Sequence, residues 1–246
     1  MDTPKISIIT VCFNAEHTIE ETIRSVIDQS YTQIEYLIID GQSQDNTLSI
    51  INTFSSRISK IISEPDTGIY NAMNKGINLA TGNYLLFLNA DDHLLSHTVI
   101  ENYINRIKQN DDNDIYYGDV LVYDQTIGRG KVWEAKKVSG KVLYNSTLPH
   151  PSTLYSKSVF EELGGYDESY KISADHEFFL RAFIKGKKFK YINILAAFFA
   201  TGGISTSGKY NAQQKEERQR AIDTHFSKFD KFFLRFRVRF KKLFNI

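Results

Sequence analysis

Cysteine is almost absent from this sequence, in which Cys12 is the single thiol. One cysteine excludes an internal disulfide framework and a cysteine-rich zinc site. Because Cys12 lies within the apolar run ISIITVC, we predict that its thiol is buried and inert rather than reactive.

Long hydrophobic runs and a secretion signal are also missing. The longest apolar candidate, INILAAFFA, has half of the roughly 18 residues that a membrane-spanning helix needs. The first residues, MDTPKIS, lack the basic start and the apolar core of a signal peptide. We therefore expect a cytoplasmic protein, and a hydrophobic content of 41% is that of a globular chain with a sizeable core.

Two common phosphate-binding loops are absent as well. Neither the G-x-G-x-x-G pattern of dinucleotide enzymes nor the G-K-[ST] pattern of P-loop proteins occurs. Their absence argues against both of those classes.

Charge is distributed unevenly, although the whole chain carries a net charge of only +1. Residues 226–246 hold seven basic residues and one acidic residue, so the remainder carries about −5. Five phenylalanines of this tail share one helical face: Phe229, Phe233, Phe236, Phe240 and Phe244. Such a basic amphipathic helix suits peripheral contact with an anionic membrane, and packing on the domain is the alternative. Nucleic-acid binding is the weaker interpretation, because the rest of the chain is not basic.

Strand-like and helical patterns alternate through the first half of the chain. Apolar, β-branched runs predict strands at residues 5–13, 34–40, 59–63 and 83–89. Amphipathic patterns predict helices at 15–30, 45–56 and 68–82. This order predicts βαβ crossovers, and therefore an α/β fold whose mostly parallel central sheet has helices on both faces.

The second half has a less regular pattern. Helices are predicted at 97–110 and 174–186, and strands at 115–123 and 188–200. Residues 125–157 are mixed, and a short helix near 159–169 is broken by Gly164 and Gly165. With neither an internal repeat nor a low-complexity linker, one compact domain is the favoured organisation.

Polar or acidic residues follow every predicted strand of the first half. They are Asn14, Asp40, Asp66, Asn89, Asp91 and Asp92. Because ligands of an open parallel sheet bind beyond the carboxyl ends of its strands, these side chains predict a ligand site at that edge. Helix capping explains each residue alone, but it does not require the adjacent carboxylates of Asp91 and Asp92. Carboxylates can accept hydrogen bonds from a nucleoside or hold Mg²⁺ or Mn²⁺ against a diphosphate.

Four segments together resemble the family-2 glycosyltransferases of the GT-A fold. They are ISIITVCFN, IIDGQSQDNT, EPDTGIYNAMNKGINLATGNYLLFLNADD and SADHEFFLRA, in that order. The similarity extends from about Lys5 to Ser205 and favours the bacterial branch that builds capsule, exopolysaccharide or lipopolysaccharide. It implies an inverting, metal-dependent transfer of a hexosyl or N-acetylhexosaminyl group from a nucleotide diphosphate sugar, most simply a UDP-sugar, to a glycan or lipid-linked acceptor.

The resemblance also implies the organisation of the chain. A single GT-A domain would occupy residues 1–225, with a nucleotide-binding half at 1–95 and an acceptor half at 96–225. The basic amphipathic tail at 226–246 would follow it.

The same resemblance implies roles for individual residues. Asp40 matches the aspartate that binds uracil, and Asp91 matches the metal ligand of the D-x-D motif, with Mn²⁺ or Mg²⁺ as the implied cofactor. Asn89 stands where the stricter motif has aspartate, and Met73 stands where many members have a phosphate-binding arginine. Lys75 is the candidate substitute for that arginine. The implied nucleotide-sugar-binding residues are Thr10, Phe13, Asn14, Asp40, Asp66, Asn74, Lys75, Asn89, Ala90 and Asp92.

Asp175, in the segment SADHEFFLR, matches the catalytic base of the family. A positioned carboxylate can take the proton of an acceptor hydroxyl as that hydroxyl attacks the anomeric carbon. Capping of the following helix is the alternative role for Asp175. Glu177 is the second candidate base, while His176 and His150 are weaker candidates for contact with metal or substrate.

Two further segments and one arginine resemble the family. For the G-G-[FY]-D segment that begins at Gly164 we favour a structural turn over a ligand contact. Arg181 is expected to pair with a carboxylate rather than to reach the diphosphate. Residues 202–205 resemble a G-G-[IV]-S segment and are expected to fold over the nucleotide.

Two other functions remain compatible with parts of the pattern. A non-catalytic, nucleotide-sugar-binding scaffold subunit of a polysaccharide assembly is the main alternative, because Asn89 and Met73 depart from the family pattern. A nucleotidyltransferase that makes the sugar nucleotide ranks last. Those enzymes carry a glycine-rich loop with arginine and lysine after the first strand, and CFNAEHTIEE has none.

Overall fold

A computed structural model describes residues 3–109, 112–124, 127–203 and 208–228. The predicted tail helix beyond residue 228 and residues 204 and 205 of the predicted covering loop lie outside the described residues. Phe226, at the start of the tail, is buried and packs against Tyr144, with 6.0 Å between the ring centroids. Within the described ranges, no helix is long and apolar enough to cross a membrane.

The first half alternates strands and helices as predicted. Its strands are β1 (Ile6–Cys12), β2 (Ile34–Asp40), β3 (Lys60–Ser63) and β4 (Tyr84–Phe87). The helices α1 (Ile19–Ile27), α2 (Thr47–Thr53) and α3 (Ile69–Leu79) connect them. Every residue of β1 is buried, as expected of a parallel strand that helices cover on both faces.

The second half contains five strands and five α-helices within the described residues. They are β5 (His93–Leu94), α4 (Val99–Ile107), β6 (Ile115–Asp124), β7 (Arg129–Trp133), α5 (Gly140–Asn145), β8 (Thr153–Ser156), α6 (Lys157–Leu163), α7 (Ala174–Ile184), β9 (Phe189–Ala200) and α8 (Asn211–His225). Short 3₁₀ turns occupy Ser55–Arg57 and His150–Ser152. The sequence did not predict β5 or α8, because a two-residue strand and a polar helix lack a hydrophobic period.

The nine strands of the described ranges form one sheet, in the order β3-β2-β1-β4-β8-β6-β9-β5, with β7 paired to β6. The first four strands are parallel to one another. In the second half β8 is antiparallel to both β4 and β6, whereas β6 and β9 are parallel. The predicted α/β class and GT-A architecture are confirmed, with a parallel first half and a mixed second half. Because β8 is antiparallel to β4, its first residue lies near the carboxyl end of β4 and brings the preceding loop to that edge.

Alternate residues of the central strands enter two separate hydrophobic layers. Ile9 of β1 packs in the layer that contains residues of α3 and α7, and Ile8 packs in the layer that contains residues of α1 and α4. Cys12 is buried in the second layer, as predicted. Burial raises the pKa of its thiol well above the ordinary value, which keeps it protonated and unreactive.

Glu35 joins β1, β2 and the segment after α3. Its carboxylate accepts hydrogen bonds from the hydroxyl of Ser7 (2.5 Å) and from the backbone N–H (2.7 Å) and hydroxyl (2.6 Å) of Thr81. Lys5 pairs with it at 2.9 Å. Burial opposes ionisation of this carboxyl group, yet the hydrogen bonds outweigh burial and lower the pKa of Glu35 to about 2.

Replacing Glu35 by Gln should destabilise the fold at pH 7 by about 2 kcal/mol, because the bonds to the charged carboxylate are lost. A lowered pKa stabilises the folded state above the unfolded pKa of about 4.3, and this stabilisation is lost as the pH falls towards 2. Urea unfolding at pH 7 and pH 3 should therefore show a difference between wild type and variant that shrinks at pH 3. The exposed Glu161→Gln is the matched control. A difference of equal size at both pH values would contradict the assignment.

Candidate active site

A cavity of about 740 Å³ lies beyond the carboxyl ends of β1 and β4, where the strand order predicted a ligand site. Its walls come from both halves of the chain: the loop after β3, the start of α3, the loop before β8, the first turn of α7, the end of β9 and α8. Small-molecule sites typically have volumes of about 300–1,000 Å³, so a ligand of nucleotide-sugar size fits the space.

Seven of the predicted site residues line this cavity: Phe13, Asn14, Asp66, Asn89, Ala90, Asp91 and Asp175. Five others do not: Thr10, Asp40, Asn74, Lys75 and Asp92. The ligand contacts predicted for these five stay predictions, and each of these side chains has partners within the protein.

Thr10 and Asp40 are fully buried within the strands that carry them. Thr10 lies two residues before the end of β1, and its hydroxyl is 3.1 Å from that of Tyr36. Asp40 accepts hydrogen bonds from the backbone N–H of Ser43 (3.1 Å) and from the hydroxyls of Ser43 and Ser63. These bonds join the Asp40 carboxylate to its own loop and to the end of β3, whereas Asp66 is the acidic residue that lines the cavity on this side.

Asn74 and Lys75 lie on α3, but their side chains turn towards neighbouring loops. The Asn74 amide donates to the carbonyl of Tyr166 (2.9 Å) and accepts from its backbone N–H (2.8 Å). A Cβ at Gly165 would lie only 2.4 Å from Asn74 Oδ1, so this contact requires glycine. Lys75 pairs with Glu64 at 2.8 Å. Both residues therefore hold loops in place around the site.

The two aspartates after β4 have different environments. Asp91 lines the cavity, and burial raises its pKa. Asp92 is only 1% exposed, and its Oδ1 accepts a hydrogen bond of 3.4 Å from the backbone N–H of Ala200. Burial, with the neighbouring charge of Asp91, raises the pKa of Asp92 well above its ordinary value. Asp92 thus connects the β4–β5 loop to the end of β9, and Asp91 is the carboxylate presented to a ligand.

Oxygen atoms near Asp91 lack partners. Asn89 Oδ1 and Asp92 Oδ2 are both buried and have no hydrogen-bond partner within the part of the chain that the structure describes. Carboxylate and amide oxygens are the ligands that Mg²⁺ and Mn²⁺ prefer. In the described ranges, no three His, Cys, Asp or Glu side chains are arranged to hold a metal. The donor set therefore fits a cation that takes one carboxylate from the protein and further oxygens from a substrate diphosphate and water.

Asp175 lies in the first turn of α7 and lines the cavity from the side of the second half. The hydroxyl of Tyr70 is 3.2 Å from Asp175 Oδ1 and 2.9 Å from the carbonyl oxygen of Ile172. Burial and the charge of Asp175 raise the pKa of Tyr70 well above its ordinary value, so the hydroxyl stays protonated and donates. This contact orients the Asp175 carboxylate, which retains oxygen capacity for a substrate proton.

Glu217 of α8 supports the first turn of α7, and the sequence did not predict this role. Its buried carboxylate accepts hydrogen bonds from the backbone N–H groups of Lys171 (2.9 Å), Ile172 (2.9 Å) and Ser173 (3.0 Å). These groups precede α7, whose capping residue Ser173 makes no side-chain cap of its own. Within the polar segment NAQQKEERQRAIDTH nothing distinguishes this glutamate from a solvent-facing one, so only the tertiary structure identifies it.

Glu217→Gln should lower the free energy of unfolding by about 2 kcal/mol, since three charge-assisted hydrogen bonds become weaker. Hydrogen exchange of the amides at 171–173 should also become faster, because their acceptor is less basic. The exposed Glu216→Gln on the same helix is the matched control and should match wild type in both measurements. Unchanged exchange at 171–173 would contradict the capping role.

The remaining candidates from the sequence have structural partners. His150 lines the cavity, and its Nε2 is 3.0 Å from the hydroxyl of Tyr166. Burial lowers the pKa of His150, which favours the neutral ring, although the charge of Asp175 opposes that shift. His176 is buried away from the cavity, with its Nε2 2.7 Å from the carbonyl oxygen of Leu143.

Arg181 pairs with Glu177 at 2.9 Å, which confirms the predicted carboxylate pairing. His225 approaches the other oxygen of Glu177 at 2.7 Å, so this second candidate base is engaged away from the cavity. Arg181 also donates to the carbonyl of Gly165 at 2.8 Å. Gly164 has φ +79°, and the structural interpretation of this glycine turn is confirmed.

Sequence comparison connects the chain to glycosyltransferases. The family model described as Glycosyl transferase family 2 matches residues 7–164. A PGL/p-HBAD biosynthesis glycosyltransferase of Mycobacterium bovis is 29% identical over 212 residues, which cover 84% of this chain and 81% of that protein. An uncharacterized glycosyltransferase of Mycobacterium tuberculosis is 31% identical over 204 residues, which cover 81% of this chain and 76% of that protein.

Solved structures with the same fold carry nucleotide ligands. Staphylococcus aureus TarS 1-349 in complex with UDP superposes with a TM-score of 0.71 at 18% identity, over 90% of this chain and 65% of that one. TarS 1-349 in complex with UDP-GlcNAc gives a TM-score of 0.69 at 17% identity, over 83% and 61%. The mannosyltransferase PcManGT of Pyrobaculum calidifontis, with GDP-Man and Mn²⁺, gives 0.64 at 16%, over 85% and 60%. The chain thus spans about three fifths of the length of these solved structures.

Proposed function

The chain belongs to glycosyl transferase family 2, and from that premise we propose that it transfers a sugar, with inversion, from a nucleotide diphosphate sugar to a glycan or lipid-linked acceptor. A UDP-sugar is the simplest donor, a hexosyl or N-acetylhexosaminyl unit the group transferred, and Mn²⁺ or Mg²⁺ the cofactor. The observation that carries the proposal is that Asp91 of the first half and Asp175 of the second half line one cavity.

The two aspartates suit two different tasks at this site. Asp175, positioned by Tyr70 and by the Glu217 cap, would accept the proton of an acceptor hydroxyl as it attacks the anomeric carbon. Asp91, with the unpartnered oxygen of Asn89, would hold the divalent cation. A bound Mg²⁺ or Mn²⁺ supplies Lewis-acid stabilisation of the departing diphosphate.

The first-half wall of the cavity suits the nucleoside. Phe13 is 61% exposed although it is a large apolar side chain, and its ring lines the cavity, where it offers a stacking surface for a base. Asp66 lies beside it and can accept from base or ribose. Asp66 therefore takes over the nucleoside contact that the sequence assigned to Asp40.

We propose that this activity serves bacterial cell-surface glycan synthesis, as the sequence resemblance implies. Among the similar proteins, one is named for PGL/p-HBAD biosynthesis, and TarS was solved with UDP-GlcNAc. PcManGT was solved with GDP-Man, so a guanine nucleotide is the competing donor class. A lipid-linked acceptor would also give the tail at 226–246 a purpose in peripheral membrane contact.

A thermal-shift panel tests the donor assignment. UDP, GDP and a series of UDP- and GDP-sugars are added to the purified protein with Mn²⁺ or with EDTA. A ligand that binds the folded state raises the melting temperature, so we expect a shift with one nucleotide class and a larger shift with Mn²⁺ than with EDTA. No shift with any nucleotide sugar would contradict the proposal.

Turnover separates the enzyme from the scaffold alternative, which rests on Met73 and Asn89, the two departures from the family pattern on the cavity wall. The assay measures release of the nucleoside diphosphate from the donor that gives the thermal shift. An enzyme should release the nucleoside diphosphate, and EDTA should suppress that release. When no acceptor is added, the release should come from slow hydrolysis of the donor. Binding without release, also in the presence of cell-envelope extract, would favour the scaffold.

A further inference from the structure

The polar helix α8 contributes a cation to the cavity wall. Gln214 and Arg218 are one turn apart on this helix, and both line the cavity. The neighbouring Glu217 fixes the helix against the start of α7, so the position of Arg218 relative to Asp175 is set by buried hydrogen bonds. Arg218 lies beyond the segment that the family model matches, which ends at residue 164.

The guanidinium of Arg218 has a buried nitrogen that no described residue satisfies. Its Nε is buried and has no hydrogen-bond partner among the residues that the structure describes. No carboxylate of those ranges forms an ion pair with it, in contrast to Arg181, which pairs with Glu177. A buried donor without an acceptor costs free energy, and a charged one costs more, so the position calls for an anion.

The other basic side chains near the cavity are engaged elsewhere. Lys75 pairs with Glu64 and donates to the carbonyl of Pro65 at 2.7 Å. Lys171 lines the cavity, but its ammonium lies 3.1 Å from the carbonyl oxygen of Glu168. Position 73 holds a methionine that also lines the cavity, so α3 supplies no cation there.

Arg218 lies near the turn that carries the candidate base. Arg218 and Asp175 line the same cavity, and Glu217, the residue before Arg218, accepts hydrogen bonds from the backbone N–H groups just ahead of Asp175. A group bound by Arg218 would therefore be within the same compartment as the Asp175 carboxylate.

We propose that Arg218 binds a phosphate group of the substrate, and that it replaces the cation missing from position 73. Guanidinium forms two parallel hydrogen bonds to phosphate, a geometry that ammonium lacks. The phosphate belongs either to the donor diphosphate or to a phosphate of a lipid-linked acceptor. The proposal rests on the proposed function, since a family-2 site of this kind has a diphosphate to hold.

Calorimetric titration of the full chain with three probes tests this assignment. The probes are UDP with Mg²⁺, inorganic pyrophosphate with Mg²⁺, and farnesyl phosphate; the variants are Arg218→Gln, Arg218→Lys and the control Lys215→Gln. Lys215 is exposed on the same helix, so its variant removes a charge without touching the cavity. Melting temperatures near that of wild type show that the variants fold. If Arg218→Gln does not fold, Arg218→Lys carries the test, because it keeps the charge and changes only the geometry of the donor group.

A donor role predicts that Arg218→Gln weakens UDP and pyrophosphate about tenfold, that Arg218→Lys weakens them less, and that the control matches wild type. An acceptor role predicts that only farnesyl phosphate is weakened. If wild type binds pyrophosphate through Arg218 but binds no nucleotide, the proposed function fails and the phosphate site stands. If no probe depends on Arg218, or wild type binds none of them, the proposal is overturned.

Discussion

Asp175→Asn should lower the turnover number for sugar transfer by about 10²- to 10⁴-fold, the range that a general base contributes. The amide keeps the size of the side chain and can still accept from Tyr70, which is 3.2 Å from Asp175 Oδ1. It cannot take the proton of the acceptor hydroxyl. The Michaelis constant for the donor should change little, because the loss falls on the transition state.

The measurement is the rate of nucleoside diphosphate release and of product formation with saturating donor and metal. Asp112→Asn is the matched control, because its carboxylate is 97% exposed and pairs only with Lys188 among the described residues. A folded Asp175→Asn protein with full activity would refute the assigned base. Glu177 is a poor replacement for Asp175 as the base, since the Glu177 carboxylate is buried against Arg181 and His225.

Asp91→Asn should reduce kcat/KM by about 10²- to 10³-fold and abolish the effect of Mn²⁺ on donor binding. Asp91 is the one acidic side chain of the β4 tip that lines the cavity. Burial raises its pKa, which means that its charge is unfavourable until a cation compensates it. The metal-free variant should therefore melt at or above the temperature of the metal-free wild type.

Donor binding with and without Mn²⁺ separates this role from a structural one. In wild type, Mn²⁺ should tighten UDP binding; in Asp91→Asn, affinities in Mn²⁺ and in EDTA should coincide. The exposed Asp112→Asn should behave as wild type. A variant that retained the full Mn²⁺ effect would show that another group holds the cation.

Local sequence patterns were sufficient for the first half of the fold. The runs that became β1, β2 and β4 are mostly apolar, and α1 has an apolar face, so each element could be predicted without its neighbours. Their order then placed Asn14, Asp66 and Asp91 at one edge, because successive parallel strands end on the same side. The division into residues 1–225 and a tail stays a prediction.

For neighbouring positions on one strand or helix, the sequence could not separate the side chains that line the cavity from those that are buried or bound to loops. Thr10 and Asp40 belong to the matching segments, yet both are fully buried, because the elements that cover each face of the sheet decide which strand side chains stay exposed. Asn74 and Lys75 bind loops rather than the cavity for a similar reason. A motif identifies a segment, whereas exposure is a property of the packed molecule.

The sequence by itself determined the fold class, the family and the edge at which the acidic residues meet, since these follow from local hydrophobic periodicity and from short motifs. Only the tertiary structure showed that Asp91 and Asp92 have different surroundings, brought the loop before β8 to the site through an antiparallel pairing, set Glu217 of α8 against the segment before Asp175, and placed Arg218 on the wall of the same cavity. These contacts join residues far apart in the chain. Nothing in the local composition of a polar helix records which of its charges faces a cavity.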